Sequence, residues 1–282
     1  MKTNFTLADK TSNLNFKNNT NQVLIQQIRN ATLKISYAGT IFLIDPMLAP
    51  KGAYPGFEET YRSELRNPLI DLPISISEII KGVDAIIVTH THLDHWDDAA
   101  QEFIPKHFPL FVQNEQDAKL IQSQGFTNIR ILDNNTLFNN IHLNKVGGQH
   151  GTDSMYAVPD LAKRLGDTMG VVFHAKGFKT LYIAGDTIWC DETTRVISNY
   201  KPEIIILNTG YARLKNFDGS IIMGKDDVKH AYQTASNAII IATHMDAVNH
   251  AMLTRKKLRE YITKEGINDR VLVPNDGETI KL

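Results

Sequence analysis

The sequence predicts an α/β chain in which two β-sheets lie face to face between layers of helix, a four-layer αββα sandwich. Short β-branched runs alternate with helical stretches, as α/β chains require. The first strands, however, follow one another at hairpin spacing with no helix between them, and a doubly wound sheet, parallel throughout, then fits poorly. No composition shift, low-complexity tract or repeat divides the 282 residues, so one domain is expected over 1–282.

Taken in order, residues 1–30 are polar and Asn-rich, without the apolar stretch of a Sec signal peptide. They form an N-terminal extension with three readings: an extra strand, an oligomer contact or a tail. LKISY and IFLID flank Ala38-Gly39-Thr40 and read as neighbouring strands. Residues 47–75 are rich in Pro, Gly and aromatics with little periodicity, a length usually reserved for lids or binding loops. Beyond them DAIIVT, VVFHA, TLYIAG, EIIILN, AIIIAT and VLVP read as buried strands. SISEII, DDAAQEFI, EQDAKLIQSQG, DETTRVISNY, KDDVKHAYQTA and LTRKKLREYITKEG read as helices, the last closed by Gly266.

Composition removes several function classes. A 42% hydrophobic, 22% charged chain lies far from disordered or collagenous sequences, and no window approaches the apolar length of a membrane span. Thirty Lys and Arg against 31 Asp and Glu leave a net charge of −1, so no overall basic field holds a polyphosphate. The basic run TRKKLRE lies on an expected helix and reads as a solvated face. A nucleic-acid partner is therefore not expected. One cysteine, Cys190, cannot pair internally, and the chain reads as cytoplasmic and reducing. Its default is a small, partly buried side chain, not a nucleophile.

The chemistry concentrates in THTHLDHWDD, directly after the apolar run DAIIV. In an extended chain residues two apart point the same way, so His90 and His92 can share one cation, while the following turn swings Asp94 and His95 toward a second. Three histidines and an aspartate gathered at a strand end for packing alone is a poor explanation, because uncompensated polar groups are costly to bury.

THTHLDH resembles the HxHxDH signature of the metallo-beta-lactamase superfamily, and the likeness extends from about residue 33 to about residue 275. The resemblance implies that fold, and it implies His150 in NKVGGQHGT as the third histidine of a first metal site. It implies Asp186 in LYIAGDTIW as the bridging carboxylate and His244 in IIIATHMD as the last histidine of a second site. Each ends a strand-like run, the arrangement a site at one sheet edge needs. Asp45 in IFLIDPML corresponds to the family's early aspartate, which supports the site through hydrogen bonds. LIDPML, THTHLDHWD, GGQHGT and AGDTIW look most like the ascorbate-phosphate lactonase-like and phosphodiesterase-like hydrolases. The extra helical domain of glyoxalase II-like thioesterases, the Glu that di-iron flavoproteins carry in place of His92, and the basic arm of tRNA-processing nucleases are not seen.

The expectation is a hydrolase with two divalent cations, zinc first, with manganese or iron also suited to imidazole and carboxylate donors. A hydroxide held between them is the expected nucleophile, oriented by Asp94, and the expected reaction is cleavage of a small-molecule ester or lactone. Phosphodiester hydrolysis on a lipid or nucleotide is the alternative, and a non-catalytic metal sensor the third reading. Trp189, Tyr211, Arg213 and His250 are candidates for the substrate pocket, Arg213 as a clamp on an anion. Trp96, which like Trp189 directly follows a metal motif, reads as pocket wall or core, and Arg62 and Arg66 on the 47–75 segment are either clamps or surface ion pairs. His107, His142, His174 and His230 read as core or surface. The oligomeric state is open, a homo-oligomer included.

Overall fold

The computed structural model describes residues 22–282 and the strand Thr6–Ala8; the rest of the expected N-terminal extension lies outside the described residues. The first sheet contains β1 (Thr6–Ala8), β2 (Leu24–Arg29), β3 (Thr32–Tyr37), β4 (Thr40–Ile44), β5 (Ala85–Ile87), β6 (Leu110–Val112), β7 (Ile129–Ile131) and β15 (Thr279–Lys281), in the order β1-β15-β2-β3-β4-β5-β6-β7. The second contains β8 (Thr136–Phe138), β9 (Ile141–Gly147), β10 (Met169–His174), β11 (Leu181–Ile183), β12 (Ile204–Asn208), β13 (Ile239–Thr243) and β14 (Val271–Leu272), in the order β14-β13-β12-β11-β10-β9-β8. Each sheet is antiparallel in one half and parallel in the other, the switch falling after β4 and after β11.

The hairpins follow from their turns. Ala38 and Gly39 both hold positive φ (48° and 79°), as do Asn139 and Asn140 (49° and 65°), the conformation a two-residue hairpin turn needs to match strand twist. In the parallel halves both faces are covered, and the sequence shows it. Ile204 and Ile206 enter the core between the sheets while Ile205 and Leu207 face the outer helices. The inter-sheet core gathers Phe42, Phe111, Phe173, Leu143 and Ile241. Outside the first sheet lie α1 (Ile76–Ile80), α2 (Asp98–Phe103) and α3 (Glu115–Ser123), burying Ile79, Ala100 and Ile121. Outside the second lie α6 (Asp191–Tyr200), α7 (Lys225–Thr234) and α8 (Arg255–Glu265), burying Val196, Val228 and Leu258. The chain thus adopts the αββα sandwich.

Helix ends obey the local rules. Asp97 and Asn114 accept from the backbone N–H three residues on, at 2.8 and 2.9 Å, and Gly266 closes α8 in the left-handed conformation. Two short helices, α4 (Asp153–Tyr156) and α5 (Pro159–Leu165), and the strands β6 to β8 fall outside the elements read from sequence, whereas β9 is the strand-like run ahead of His150. β7 and β8 have only three residues each, and β9 alternates Asn, Lys and His with apolar residues. Residues 24–29 of the expected extension form β2 in the interior of the first sheet. No helix among the described residues is long and apolar enough to cross a membrane.

Candidate metal centre

The parallel strands of both sheets deliver their following residues to one edge of the sandwich. Asp45 follows β4, Thr89 and His90 follow β5, Asp186 follows β11, and His244 follows β13. Antiparallel β9 ends toward the same place and supplies His150. The backbone takes left-handed φ at Asp45 (44°) and His244 (61°), and at Asn30 (56°) between β2 and β3. Gly210 is required here, since a Cβ on it would lie 2.2 Å from the His244 carbonyl oxygen.

Donor atoms of His90, His92 and His150 lie within 4.8 Å of one another, and those of Asp94, His95, Asp186 and His244 do likewise. In the first group the outer ring nitrogens are committed. His92 donates from Nε2 to the Arg164 carbonyl at 2.9 Å, and His150 from Nδ1 to the Ile221 carbonyl at 2.8 Å. The Thr89 hydroxyl donates to Asp45 at 2.8 Å and so accepts from His90 Nδ1 at 3.2 Å. The inner nitrogens are then bare lone pairs, and His90 Nε2 faces His92 Nδ1 at 3.0 Å with no proton between them. That contact is repulsive unless a cation sits at the focus, so the donor set fits a divalent metal. Burial, then the neighbouring His95 and His92, holds His90 well below the ordinary imidazole range. Burial brings His150 down to about 4.

The second group is charged. Burial alone would push the Asp94 and Asp186 carboxyls up, but His95 and His244 outweigh it and hold both well below the usual carboxylate range. Reciprocally, Asp186 and its neighbouring aspartates raise His95 and His244 against burial. His95 Nε2 lies 3.1 Å from Asp186 Oδ2, and His244 Nε2 lies 3.3 Å from Asp94 Oδ2. Buried carboxylates left without such counter-charge would cost several kcal/mol each. The groups touch through Asp186, whose Oδ2 is also 3.8 Å from His150 Nε2.

A further shell holds the donors still. Asp45 accepts from the Thr89 N–H (2.7 Å), the Thr89 hydroxyl (2.8 Å) and His95 Nδ1 (2.9 Å), so one carboxylate orients a histidine of each group. Asn208 donates to Asp186 Oδ1 at 2.7 Å and itself accepts from the Thr243 hydroxyl. Asn30 donates to the Asp94 carbonyl and carboxylate. Asn30 and Asn208 were not found from sequence: Asn30 lies in the unassigned extension, and the only signal for Asn208 is that it ends the run EIIILN.

Above the donors is a cavity of about 300 Å³. Phe57, Leu93, Leu165, Leu214 and Ile221 wall it, with Glu58, Thr60, Arg164 and His250 as its polar members beyond the donors. Residues 47–75 supply one side. Asn249 pins them, donating to the Thr60 hydroxyl and the Tyr61 carbonyl, both at 2.8 Å, while its Oδ1 accepts from Phe57 N and Asn67 Nδ2. At the mouth Glu59 pairs with Arg164 at 2.6 Å.

Of the four residues expected to shape the pocket, the structure brings only His250 to the cavity wall. Trp189 stacks on His230 with ring centroids 4.2 Å apart, drawn off by α7. Tyr211 packs closely over Gly224. Arg213 turns its guanidinium to the Gly219 carbonyl and the Tyr61 ring, bracing the loops. Arg62 is likewise a staple, donating to the carbonyls of Asn249 and Ala251, and Arg66 caps Gly52 and Ala53. Trp96 is buried beside Phe126.

A beta-lactamase superfamily domain model matches residues 40–245. The UPF0173 protein YddR of Bacillus subtilis (strain 168) is 47% identical over 255 residues, 90% of this chain and 98% of its own. The UPF0173 metal-dependent hydrolase MJ1163 of Methanocaldococcus jannaschii is 26% identical over 217 residues, 77% of this chain and 90% of its own. Among solved structures, one described as a possible metal-dependent hydrolase from Veillonella parvula DSM 2008 superposes with a TM-score of 0.90 at 48% identity, covering 92% of this chain and 98% of that one. An isothiocyanate hydrolase from Delia radicum gut bacteria superposes with a TM-score of 0.88, also at 48% identity, covering 91% and 98%.

Proposed function

This chain belongs to the beta-lactamase superfamily and, within it, to the UPF0173 metal-dependent hydrolases, and on that premise we propose that it is a two-cation hydrolase of small, largely apolar electrophiles. His90, His92 and His150 would hold one cation and Asp94, His95 and His244 the other, with Asp186 within reach of both groups. Zinc is the first choice, and manganese or iron also suits these donors. The observation that carries the substrate reading is the apolar cavity of about 300 Å³ standing directly over both donor groups.

When bound, the cations supply a hydroxide near neutral pH and offset the negative charge that develops on the substrate. The chain's own groups do the rest. Asp94, ionised and steadied by Asn30, orients that hydroxide. Asp45 and Asn208 fix the donors, and Phe57, Leu165 and Leu214 exclude bulk water. Residues 47–75 act as the cover, held at the base by Asn249 and latched by Glu59 to Arg164.

Among electrophiles, isothiocyanates are favoured by the isothiocyanate hydrolase relative at 48% identity and by the apolar wall. In that reaction water and R–N=C=S give the amine R–NH2 and carbonyl sulfide. A small ester or lactone is the second reading, since the same nucleophile attacks its carbonyl. A phosphodiester is less well served, because the one cationic side chain on the wall, Arg164, is already paired with Glu59. The single cysteine suits a reducing compartment, and we place the reaction in the cytoplasm.

The test is metal-reconstituted protein against benzyl isothiocyanate, a small lactone and a chromogenic phosphodiester, with a chelated sample and Asp94→Ala as controls. Amine release from the isothiocyanate, abolished by chelation, is expected. Turnover of none of the three by metal-loaded protein would sink the hydrolase reading in favour of a metal sensor.

A further inference from the structure

His250 is a polar residue on the cavity wall, and it lies outside both donor groups. Its side chain is 6% exposed, and neither ring nitrogen makes a hydrogen bond to the described residues. The other buried polar side chain on that wall, Thr60, is satisfied: it donates to the Phe57 carbonyl at 2.6 Å and accepts from Asn249. Glu58 and Arg164 stand exposed at the mouth. An unpaired polar group in a close-packed wall is costly, and such groups call for an explanation.

The position of His250 is nevertheless fixed. Its carbonyl accepts from Arg213 N–H at 3.1 Å, its neighbour Asn249 is the hub that pins residues 57–67, and its ring meets Phe57 edge to face at 4.9 Å. Nδ1 is fully enclosed and lacks a partner, which leaves Nε2 as the ring atom that can meet a ligand. A buried lone pair without a partner is better tolerated than a buried N–H without one, so the proton belongs on Nε2. Burial brings the ring down to about 4, so it is neutral near pH 7 and presents a single N–H.

We propose that His250 is a specificity-determining and positioning residue: its Nε2–H donates one hydrogen bond to the heteroatom next to the electrophilic carbon of an otherwise apolar substrate. For an isothiocyanate that atom is nitrogen; for an ester it is the carbonyl oxygen. On either atom electron density rises as hydroxide adds, so the bond strengthens along the reaction and also selects substrates that carry an acceptor there. The inference rests on reading the cavity as the substrate site.

Three variants separate this role from packing: His250→Phe keeps a ring against Phe57 but loses the donor, His250→Gln keeps an N–H donor, and His250→Ala removes both. Turnover of benzyl isothiocyanate is measured alongside metal content, melting temperature and calorimetric binding of N-benzylformamide, an unreactive neutral acceptor. For His250→Phe, kcat/KM and formamide affinity should each fall about tenfold or more, the worth of one hydrogen bond, at unchanged metal content. His250→Gln should recover most of both. Wild-type values for His250→Phe in binding overturn the proposal, and so does metal loss in that variant, which would make His250 a support of the donors. If wild-type protein turns over no substrate, the failure belongs to the proposed reaction, and formamide binding still decides whether His250 is the donor.

Discussion

His90, His92 and His150 bring no negative charge to the cavity floor, and burial keeps His90 and His150 neutral. Beside them Asp94 and Asp186 bring two ionised carboxylates, which raise His95 and His244. The first group is a set of lone pairs waiting on a positive charge; the second holds protons where a cation would sit. Exposure differs too, since His92 is partly exposed and all four members of the second group are buried. The contrast teaches that two adjacent donor groups can be tuned independently, through carboxylate count and burial, while meeting at one carboxylate, Asp186.

The bridge offers the largest way to break that contrast. Asp186→Asn leaves the shape but removes the charge both groups share, and cation content should fall at both sites. Activity should drop by more than the roughly 100-fold that loss of an outer-shell partner costs. Metal analysis and kinetics on the same sample check this; retention of two cations would show that Asp186 bridges nothing.

Next come the groups singly. His92→Ala and His244→Ala should each keep roughly one of two cations, because each leaves the other donor group complete. Uptake at the second group should release protons at pH 7, from the raised His95 and His244, whereas uptake at the first should release few. Calorimetry of each variant in buffers of different ionisation enthalpy reads this directly, and equal proton release would erase the distinction.

A smaller effect is expected behind the bridge. Asn208→Ala removes the 2.7 Å donor to Asp186 Oδ1 and should weaken cation affinity by about 10- to 100-fold without abolishing turnover at saturating metal. Competition against a chelator of known affinity measures it.

The mildest test is the stability of cation-free protein against pH. His150 and His250 sit at about 4 in the fold against 6.5 in the open chain, and His90 is lowered too. Between about 4 and 6.5 the unfolded chain therefore binds the more protons, and stability should rise with pH. Above 6.5 the raised His95 and His244 hold protons that the unfolded chain has given up, so stability should fall as pH climbs through their folded values. Melting temperatures should trace a bell, and saturating metal should flatten its alkaline limb. A flat profile without metal would contradict the charge contrast.

Sequence alone went far with the strands and donors and less far with the cavity, where residues 47–75 and His250 line the wall but Trp189, Tyr211 and Arg213 do not. Local rules write the hairpin at Ala38-Gly39, the two-faced apolar runs of β12 and β13, and the Gly266 cap into consecutive residues. Of the donors, the spacing in THTHLDH supplied His90, His92, Asp94 and His95 from strand geometry, while His150, Asp186 and His244 came by family resemblance. The structure brings all seven together. Trp189, Tyr211 and Arg213 looked eligible because they follow strands ending at the same edge, but that fixes only where a backbone arrives. Where the side chain goes was settled by distant partners: α7 for Trp189, Gly224 for Tyr211, and Gly219 with Tyr61 for Arg213.

The sequence by itself thus determined the sandwich, the turns that carry the candidate donors and the near-zero net charge of −1, because periodicity and spacing act between near neighbours. Only the tertiary structure decided which side chains wall the cavity over the donors and what holds residues 47–75 against it. Asn249 binds a loop 182 residues away in the chain, His92 is oriented by a carbonyl 72 residues on, and Glu59 reaches Arg164 across 105. Such contacts depend on how two sheets pack, and no local pattern encodes them.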